Sequence, residues 1–244
     1  MNDAYIVTAL RTAGGKKGGR LSNWHPVDLG AQVINALLND IDCPPSVVED
    51  VIFGSVSQIG EQAMNVARNI VLASELPESV PATSVDRQCG SSQQALHFAA
   101  QAVMSGTMDI VIAGGVESMT RTPMFSTVLL PQKNGLGHYM SPELQLRYPN
   151  IEFSQFKGAE MMANQYAISK DELDAYALNS HRRASEAVNK KAFEKEIVPI
   201  AIRDTEGIVT GETHNIDEGV RFDANLESIA GIKPILDGGL LTAG

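Results

Sequence analysis

Cys89 is the residue whose type and setting point most directly to covalent chemistry. It follows a strand-like run that ends at Val85, and it precedes Gly90 and a helical pattern that begins at Ser91. A cysteine reacts as its thiolate, and the unpaired N–H groups and positive dipole end at a helix start favour that form. The small residues that follow leave room for a carbonyl group, and the Cys89 N–H can help to hold an oxyanion. The pattern indicates a nucleophile, while the residues alone leave open a buried structural cysteine.

The other residues with reactive side chains have less informative settings. Cys43 stands beside two prolines without a comparable turn, so we interpret it as structural. A cysteine nucleophile also needs a base. None of the five histidines lies in a motif that marks it as one: His25, His97, His138, His181 and His214. His97 falls two turns along the helix that follows Cys89, and we interpret it as structural.

Alternating strands and helices are predicted through the first half of the chain. Short apolar runs predict strands, and apolar residues at helical spacing predict helices between them. The predicted strands cover 4–9, 51–54, 83–85 and 109–115, and the predicted helices cover 27–38, 65–72 and 91–104. This alternation predicts an α/β fold with a mostly parallel sheet and helices on both of its faces.

The pattern changes in the second half. Residues 122–156 show no sustained period and contain four prolines, which predicts an irregular interaction segment. Helices are predicted over 158–166 and 169–191, and the spacing of Ser169 and Glu172 predicts a capping box. A strand is predicted over 197–202, followed by a polar, turn-rich stretch over 204–225.

Composition excludes several classes of protein. The formal net charge is −10, so nucleic acid is a poor default partner. Two cysteines in 244 residues do not make a disulfide framework, which favours a reducing compartment such as the cytoplasm. The start of the chain lacks the features of a signal peptide, and no apolar run is long enough to cross a membrane. No metal-binding pattern is present.

Several motifs, taken together and in order, resemble the amino-terminal part of the thiolase family. The segment 85–96 resembles the family's acyl-enzyme cysteine motif. Further resemblances lie in 6–12, 50–54, 114–120, 169–184 and 195–200. The resemblance implies a layered α-β-α core with a mostly parallel sheet and an inserted α+β loop domain. It divides the chain into a core domain over 1–120 and a loop domain over 121–244, with tetramer contacts in 122–156 and coenzyme A contacts in 157–244.

The resemblance also implies an activity. Thiolases transfer acyl groups between a cysteine and coenzyme A, either by thiolysis of a 3-ketoacyl-CoA or by condensation to acetoacetyl-CoA. Cys89 would hold the acyl group, and Arg221 and Ser228 would contact coenzyme A, with Leu236 and Ala243 as weaker apolar contacts. Acyl-CoA and coenzyme A would be substrates, with no tightly bound cofactor. The sequence as a whole, rather than any single residue, slightly favours an acetoacetyl-CoA thiolase over the long-chain type.

Two departures from the family pattern qualify these expectations. Ser154 and Gln155 stand where family members often carry histidine and methionine, which puts the pantetheine contacts and the chain-length preference in doubt. The family's Gly-His-Pro, second-cysteine and Asn-Glu-Ala-Phe motifs are absent. The resemblance therefore predicts that this chain is a fragment with weak or no catalysis and a tendency to associate. It also predicts that the full-length protein is a homodimer or homotetramer.

Two other interpretations remain open. One is a non-catalytic thiolase-like protein that binds acyl-CoA or a lipid, and the other is a ketosynthase-like condensing enzyme. The cysteine in its full motif argues against the first, and the loop domain argues against the second.

Overall fold

Strands and helices alternate from residue 11 to residue 115, and helices dominate the chain from there to residue 189. The structure is a computed structural model that describes residues 3–243. In chain order the elements are β1 (Arg11–Thr12), α1 (Pro26–Asp40), β2 (Asp50–Gly54), α2 (Val66–Ala73), β3 (Ala82–Val85), α3 (Ser91–Ser105), β4 (Val111–Gly115), α4 (Ser126–Lys133), α5 (Pro142–Arg147), α6 (Gln155–Gln165), α7 (Lys170–Asn189), β5 (Ile197–Val198), β6 (Ile200–Arg203), β7 (Val209–His214) and α8 (Leu226–Ala230).

The chain forms two compact units. The first runs to His138 and also takes in Lys195–Glu218, and the second comprises Tyr139–Glu194 and the segment from Gly219 onward. These bounds differ from the division between residues 120 and 121 that the resemblance implies. The assignment of tetramer contacts to 122–156 and of coenzyme A contacts to 157–244 stays a prediction.

A three-stranded parallel sheet organises the first unit. Its strand order is β3-β2-β4, with Val51 of β2 opposite Ala82 on one side and Ile112 on the other. Because side chains alternate along a strand, Val51 and Phe53 of β2 pack into the core that includes α1 and α2. Ile52 packs with residues of α3 on the opposite face. The prediction of a mostly parallel sheet with helices on both faces is confirmed.

Helix α1 shows how the sequence defines these elements. Pro26 occupies the first turn, where its missing N–H costs no hydrogen bond, and the His25 side chain accepts a hydrogen bond from the Val27 N–H. Residues at helical spacing, including Ile34 and Leu38, are 1% and 2% exposed. Each buried side chain of this size contributes roughly 1.5–3 kcal/mol of transfer free energy. Burial of one face therefore secures the helix that the apolar period predicts.

The predicted strand over 4–9 is wrong. In residues 3–10 the structure has no strand, and Tyr5, Ile6 and Val7 are 81%, 72% and 78% exposed. The strand begins only at Arg11, where β1 pairs in parallel with β5. A strand requires a neighbour for its backbone hydrogen bonds, and an apolar run alone does not supply one.

The segment 122–156 is only partly irregular, because it contains α4 and α5. Helix α5 begins with a Ser141 cap, whose hydroxyl accepts from the Leu144 N–H, and with Pro142 in its first turn. Both helices leave large apolar side chains in solvent, with Leu129 58% exposed and Leu146 76% exposed. A helical period is visible only where one helix face is buried, which explains why the pattern missed them.

The remaining elements confirm part of the expectation and extend it. Ser169 and Glu172 form the predicted capping box at the start of α7. The strand predicted over 197–202 is two strands, β5 and β6, separated by Pro199, which has no N–H to donate. The polar stretch over 204–225 contains β7, which pairs antiparallel with β6, and α8 follows it. No helix within residues 3–243 is long and apolar enough to cross a membrane.

Candidate active site

Cys89 lies in the turn that joins β3 to α3, and its side chain is exposed. Gly90 is the N-cap of α3, so the sulfur stands one residue before the cap. Backbone bonds define this turn: the Gly90 N–H donates to the Arg87 carbonyl at 3.1 Å, and the Ser91 N–H donates to the Gln88 carbonyl at 3.0 Å. The arrangement presents an accessible thiol at the positive end of a 15-residue helix.

Two glycines seat the first turn of α3 against the sheet. A Cβ on Gly54, at the end of β2, would lie 2.2 Å from the Ser92 backbone nitrogen. A Cβ on Gly115, at the end of β4, would lie 1.9 Å from the Ser92 Oγ. Neither contact is sterically possible, so glycine at both strand ends allows the close approach of the helix that carries Cys89.

A carboxylate connects the loops that follow β2 and β4. Glu117 accepts hydrogen bonds from the Val56 N–H at 2.7 Å and the Ser57 N–H at 3.3 Å. It also accepts from the Nε2 group of Gln62 at 2.8 Å, and Gln62 is fully buried. The Gln62 Oε1 in turn accepts from the Ser118 N–H at 2.7 Å. In this parallel sheet the carboxyl ends of the strands lie at one edge, and the Cys89 turn follows β3 at that edge. The Glu117 network therefore holds the loops at the edge that carries Cys89.

The histidines occupy other surroundings. His97 is exposed on α3, and the His181 Nδ1 accepts a hydrogen bond from the Arg221 N–H at 3.2 Å. His214 is 1% exposed, and its Nε2 lies 3.1 Å from the Ala13 carbonyl. Among residues 3–243, none of these side chains hydrogen-bonds to the Cys89 sulfur. Within the same residues, no group of three or more His, Cys, Asp and Glu side chains could hold a metal ion.

The four residues that the resemblance assigns to coenzyme A all lie in the second compact unit. Arg221, Ser228 and Ala243 are exposed, and Leu236 is half-buried. The Ser228 hydroxyl accepts from the Asn225 N–H at 3.3 Å in the capping box of α8, and it donates to the Asn225 carbonyl at 2.9 Å. It retains acceptor capacity, whereas the Arg221 guanidinium makes no hydrogen bond within residues 3–243, so its donors face a potential anion.

Arg221 also lines a cleft of about 400 Å³ along α7. The side chains around it include three cations, one carboxylate and an aromatic ring: Arg182, Ser185, Glu186, Asn189, Lys190, Arg221, Phe222 and Ala224. Lys190 pairs with Glu186 at 2.5 Å. The Ser185 Oγ is buried and has no hydrogen-bond partner among residues 3–243. The cations and the aromatic ring suit a phosphate-bearing ligand, whereas the buried Ser185 hydroxyl is closed to solvent.

Charged side chains hold the Gly- and Lys-rich loop over 14–20. Asp217 accepts from the Gly14 N–H at 2.6 Å, and Glu218 accepts from the Arg20 N–H at 3.0 Å. Arg11 forms a bidentate pair with Asp217, at 2.7 and 3.1 Å, and its hydrogen bonds hold the pKa of that carboxyl below its ordinary value. The N–H groups of the loop therefore donate hydrogen bonds to carboxylates of the same chain, which the composition of the loop does not predict.

The sequence pattern does not reveal the residues that position Cys89. Gly54 and Gly115 belong to segments that resemble family signatures, but their spacing alone does not show that both contact the same serine. Glu117 lies two residues beyond the end of β4, and a carboxylate so close to a strand end is the one signal that could have singled it out.

Comparison with known proteins identifies the family of the chain. A family model described as the thiolase N-terminal domain matches residues 4–244. Steroid 3-ketoacyl-CoA thiolase FadA6 of Mycobacterium tuberculosis is 44% identical over the whole chain, which covers 58% of that relative. The 3-ketoacyl-CoA thiolase FadA of Escherichia coli is 36% identical over the whole chain, which covers 61% of it. The chain thus spans about three fifths of the length of these relatives, and it belongs to the thiolase family, as an N-terminal domain.

Proposed function

We propose that the whole protein is an acyltransferase of the thiolase type in which Cys89 forms the acyl-thioester. The observation that carries this proposal is the exposed Cys89 thiol at the start of α3, in a chain of the thiolase family. A purely binding protein has no need of a nucleophile seated in this way, so we favour catalysis over a non-catalytic acyl-CoA or lipid carrier.

The chemistry divides into two transfers. The Cys89 thiolate attacks the 3-keto carbon of a 3-ketoacyl-CoA, and the bond between carbons 2 and 3 breaks. The departing acetyl-CoA carbanion takes up a proton, and the acyl group remains on sulfur as a thioester. The thiol of a second coenzyme A then attacks that thioester, loses its proton and releases Cys89. A covalent intermediate replaces one difficult step with two easier ones.

The base for these steps is proposed to lie outside the 244 residues of this chain. No described histidine hydrogen-bonds to Cys89, and the Gly-His-Pro motif of the family is absent from this sequence. We therefore expect the chain alone to form the acyl-enzyme slowly and the whole protein to turn over.

Thiolysis of 3-ketoacyl-CoA is our preferred direction. Two relatives are named 3-ketoacyl-CoA thiolases, one of them for steroid substrates. Condensation to acetoacetyl-CoA, which the texture of the sequence favours slightly, is the reverse of the same chemistry. We propose that the cationic cleft at Arg221 attracts the phosphates of coenzyme A, and that the reaction takes place in the cytoplasm, in keeping with two free cysteines.

We also propose that the whole protein is a homodimer or homotetramer. Large apolar side chains in 122–156 lie in solvent, including Leu129 at 58% and Leu146 at 76%. Exposed apolar side chains of this size are typical of an interaction surface. Light scattering on the whole protein tests this assignment. The double variant Leu129→Glu and Leu146→Glu should shift the oligomeric state towards monomer.

The nucleophile is tested by intact mass spectrometry of the whole protein after incubation with acetyl-CoA or acetoacetyl-CoA. We expect one acyl adduct, located on the peptide that contains Cys89. The Cys89→Ala variant should acquire none, while Cys43→Ala serves as the matched control and should acquire the adduct normally. An adduct that persists in Cys89→Ala would exclude Cys89 as the nucleophile.

A further inference from the structure

The hydroxyl of Ser91 closes the turn that carries Cys89. Ser91 is 4% exposed, in contrast to the exposed Cys89. Its Oγ accepts a hydrogen bond from the Arg87 N–H at 2.9 Å and donates one to the Gln88 carbonyl at 2.5 Å. One side chain thereby satisfies a backbone donor and a backbone acceptor on the two residues that precede the cysteine.

The turn that Ser91 closes contains a conformation that most residues avoid. Gln88, directly before Cys89, has φ +49°, in the left-handed region. A non-glycine residue in that region persists only when its surroundings enforce it. Three hydrogen bonds act on Gln88: its N–H donates to the Asp86 Oδ1 at 2.8 Å, and its carbonyl accepts from both the hydroxyl and the N–H of Ser91.

We propose that Ser91 is a positioning residue for the Cys89 nucleophile. Its hydroxyl holds Gln88 in the left-handed conformation and thereby sets the direction of the Cys89 N–H and side chain relative to the axis of α3. This inference rests on the proposed function, since it matters only if Cys89 accepts an acyl group. Acyl transfer needs the sulfur and the oxyanion donor in a fixed mutual geometry, whereas alkylation by a small reagent needs only an accessible thiolate.

The experiment compares two reactions of Cys89 in the whole protein. Acylation by acetoacetyl-CoA and alkylation by iodoacetamide are followed by mass spectrometry of the Cys89 peptide. We expect Ser91→Ala to slow acylation by about tenfold to a hundredfold, with alkylation and the KM for the CoA ester little changed. Ser91→Thr, which keeps a hydroxyl, should recover most of the acylation rate. Ser105→Ala is the matched control, because Ser105 carries a hydroxyl at the other end of α3, where it donates to the Ala102 carbonyl.

A double-mutant cycle with Gln88→Gly tests whether Ser91 acts through the conformation of Gln88. Glycine adopts positive φ without the steric cost, so Ser91→Ala should slow acylation less in the Gln88→Gly background than in the wild-type background.

Three results would overturn the proposal: wild-type acylation in Ser91→Ala, equal losses in Ser91→Ala and Ser91→Thr, or no coupling between positions 88 and 91. Failure of the proposed function is distinct from all three, because the wild-type protein itself would then acquire no acyl group.

Discussion

At Cys89 and its neighbours, local hydrogen bonds to the backbone define the geometry, including one that the Asp86 carboxylate accepts from the Gln88 N–H. The turn before α3 is closed by the Ser91 hydroxyl and by main-chain bonds. The paired charges of the first unit instead fix loops, as Arg11 and Asp217 do for the segment after β1. Substitutions in the two groups should therefore affect different properties, reactivity in the first and stability in the second.

Replacing Asp217 by Asn should lower stability in a pH-dependent manner. The Arg11 partner holds the Asp217 pKa below its ordinary value of 3.8, so the carboxylate contributes stability that is present above that pH. The contribution disappears as pH falls through the lower folded-state value. We expect Asp217→Asn to cost about 1–2 kcal/mol at pH 7, because a partly exposed bidentate pair is lost.

Urea denaturation at a series of pH values measures this effect. The difference between Asp217→Asn and wild type should shrink towards acid pH, where both side chains are neutral. Glu194→Gln is the control, because Glu194 pairs with Lys191 on an exposed surface and its loss should change little at any pH. A penalty for Asp217→Asn that stays constant down to acid pH would contradict the assignment.

Replacing Arg221 should weaken the affinity for the CoA ester without changing the chemical step. Removal of one charge-assisted contact to phosphate costs about 1.5–3 kcal/mol, or about tenfold to a hundredfold in KM. Steady-state kinetics of Arg221→Ala in the whole protein checks this, with kcat expected to be unchanged. Lys191→Ala removes an exposed cation just beyond the end of α7 and should leave KM near wild type. Equal KM values for the two variants would show that Arg221 does not contribute to the coenzyme A site.

At the scale of elements, the approach of α3 to the sheet decides where the nucleophile stands. The ends of β2 and β4 carry glycine where the helix arrives, and the loops after both strands are joined through Glu117. The parallel sheet thus supplies an edge at which three strands end together. The helix start is held against that edge by contact and the loops by hydrogen bonds.

Gly54→Ala and Gly115→Ala should each displace the first turn of α3. The added methyl would overlap Ser92, and relief of such overlap typically costs about 1–3 kcal/mol. A shift of about 1 Å in the cysteine would also slow acylation by about a hundredfold.

Thermal denaturation and the acyl-adduct rate measure the two effects of the glycine variants. Gly158→Ala is the matched control, since a Cβ there meets nothing within 4 Å and the residue lies inside α6. That substitution should be neutral or stabilising by up to about 1 kcal/mol. Wild-type acylation in both strand-end variants would argue against the close-packing role.

Glu117→Gln should loosen the loops after β2 and β4. An amide at this position has one acceptor oxygen and presents N–H groups, whereas the carboxylate accepts from three donors. We expect a loss of about 1–3 kcal/mol in the free energy of unfolding. Denaturant titration measures it, and Glu152→Gln, in an exposed pair with Lys157, should change little. Equal stabilities of the two variants would show that the network is dispensable.

At the scale of the whole molecule, burial is distributed unequally between the two compact units. Most of the buried apolar side chains belong to the first unit, where Val51, Ile34 and Ile70 are at most 1% exposed. In the second unit the buried apolar residues are Ala163, Leu178 and Ile229. Each unit therefore has its own expected stability.

Hydrogen exchange should reflect this distribution. The amides of β2, α1 and α2 should exchange most slowly, because their opening exposes the main core. The amides of α5 and α8 should exchange fastest among the helices, because these are short and largely exposed. Mass spectrometry of exchanged peptides resolves the two classes. Protection in α5 equal to that in β2 would contradict the expectation.

The sequence by itself determined the alternation of strands and helices around Cys89. Each of those elements buries one face, so its apolar residues recur with the period of a strand or a helix. The sequence also determined the capping box at Ser169 and the position of the cysteine before a helix, since both are local patterns. The missed elements, α4, α5, β7 and α8, have little burial, so no period is imposed on their residues.

Only the tertiary structure decided which residues hold the nucleophile. Gly54 and Gly115 are 61 positions apart in the printed sequence, yet both meet Ser92 because parallel strands end at the same edge. The same holds for Arg11 and Asp217, which pair across 206 positions. Contacts between such distant residues follow from strand order and loop closure, and the spacing of residue types along the chain carries no record of either.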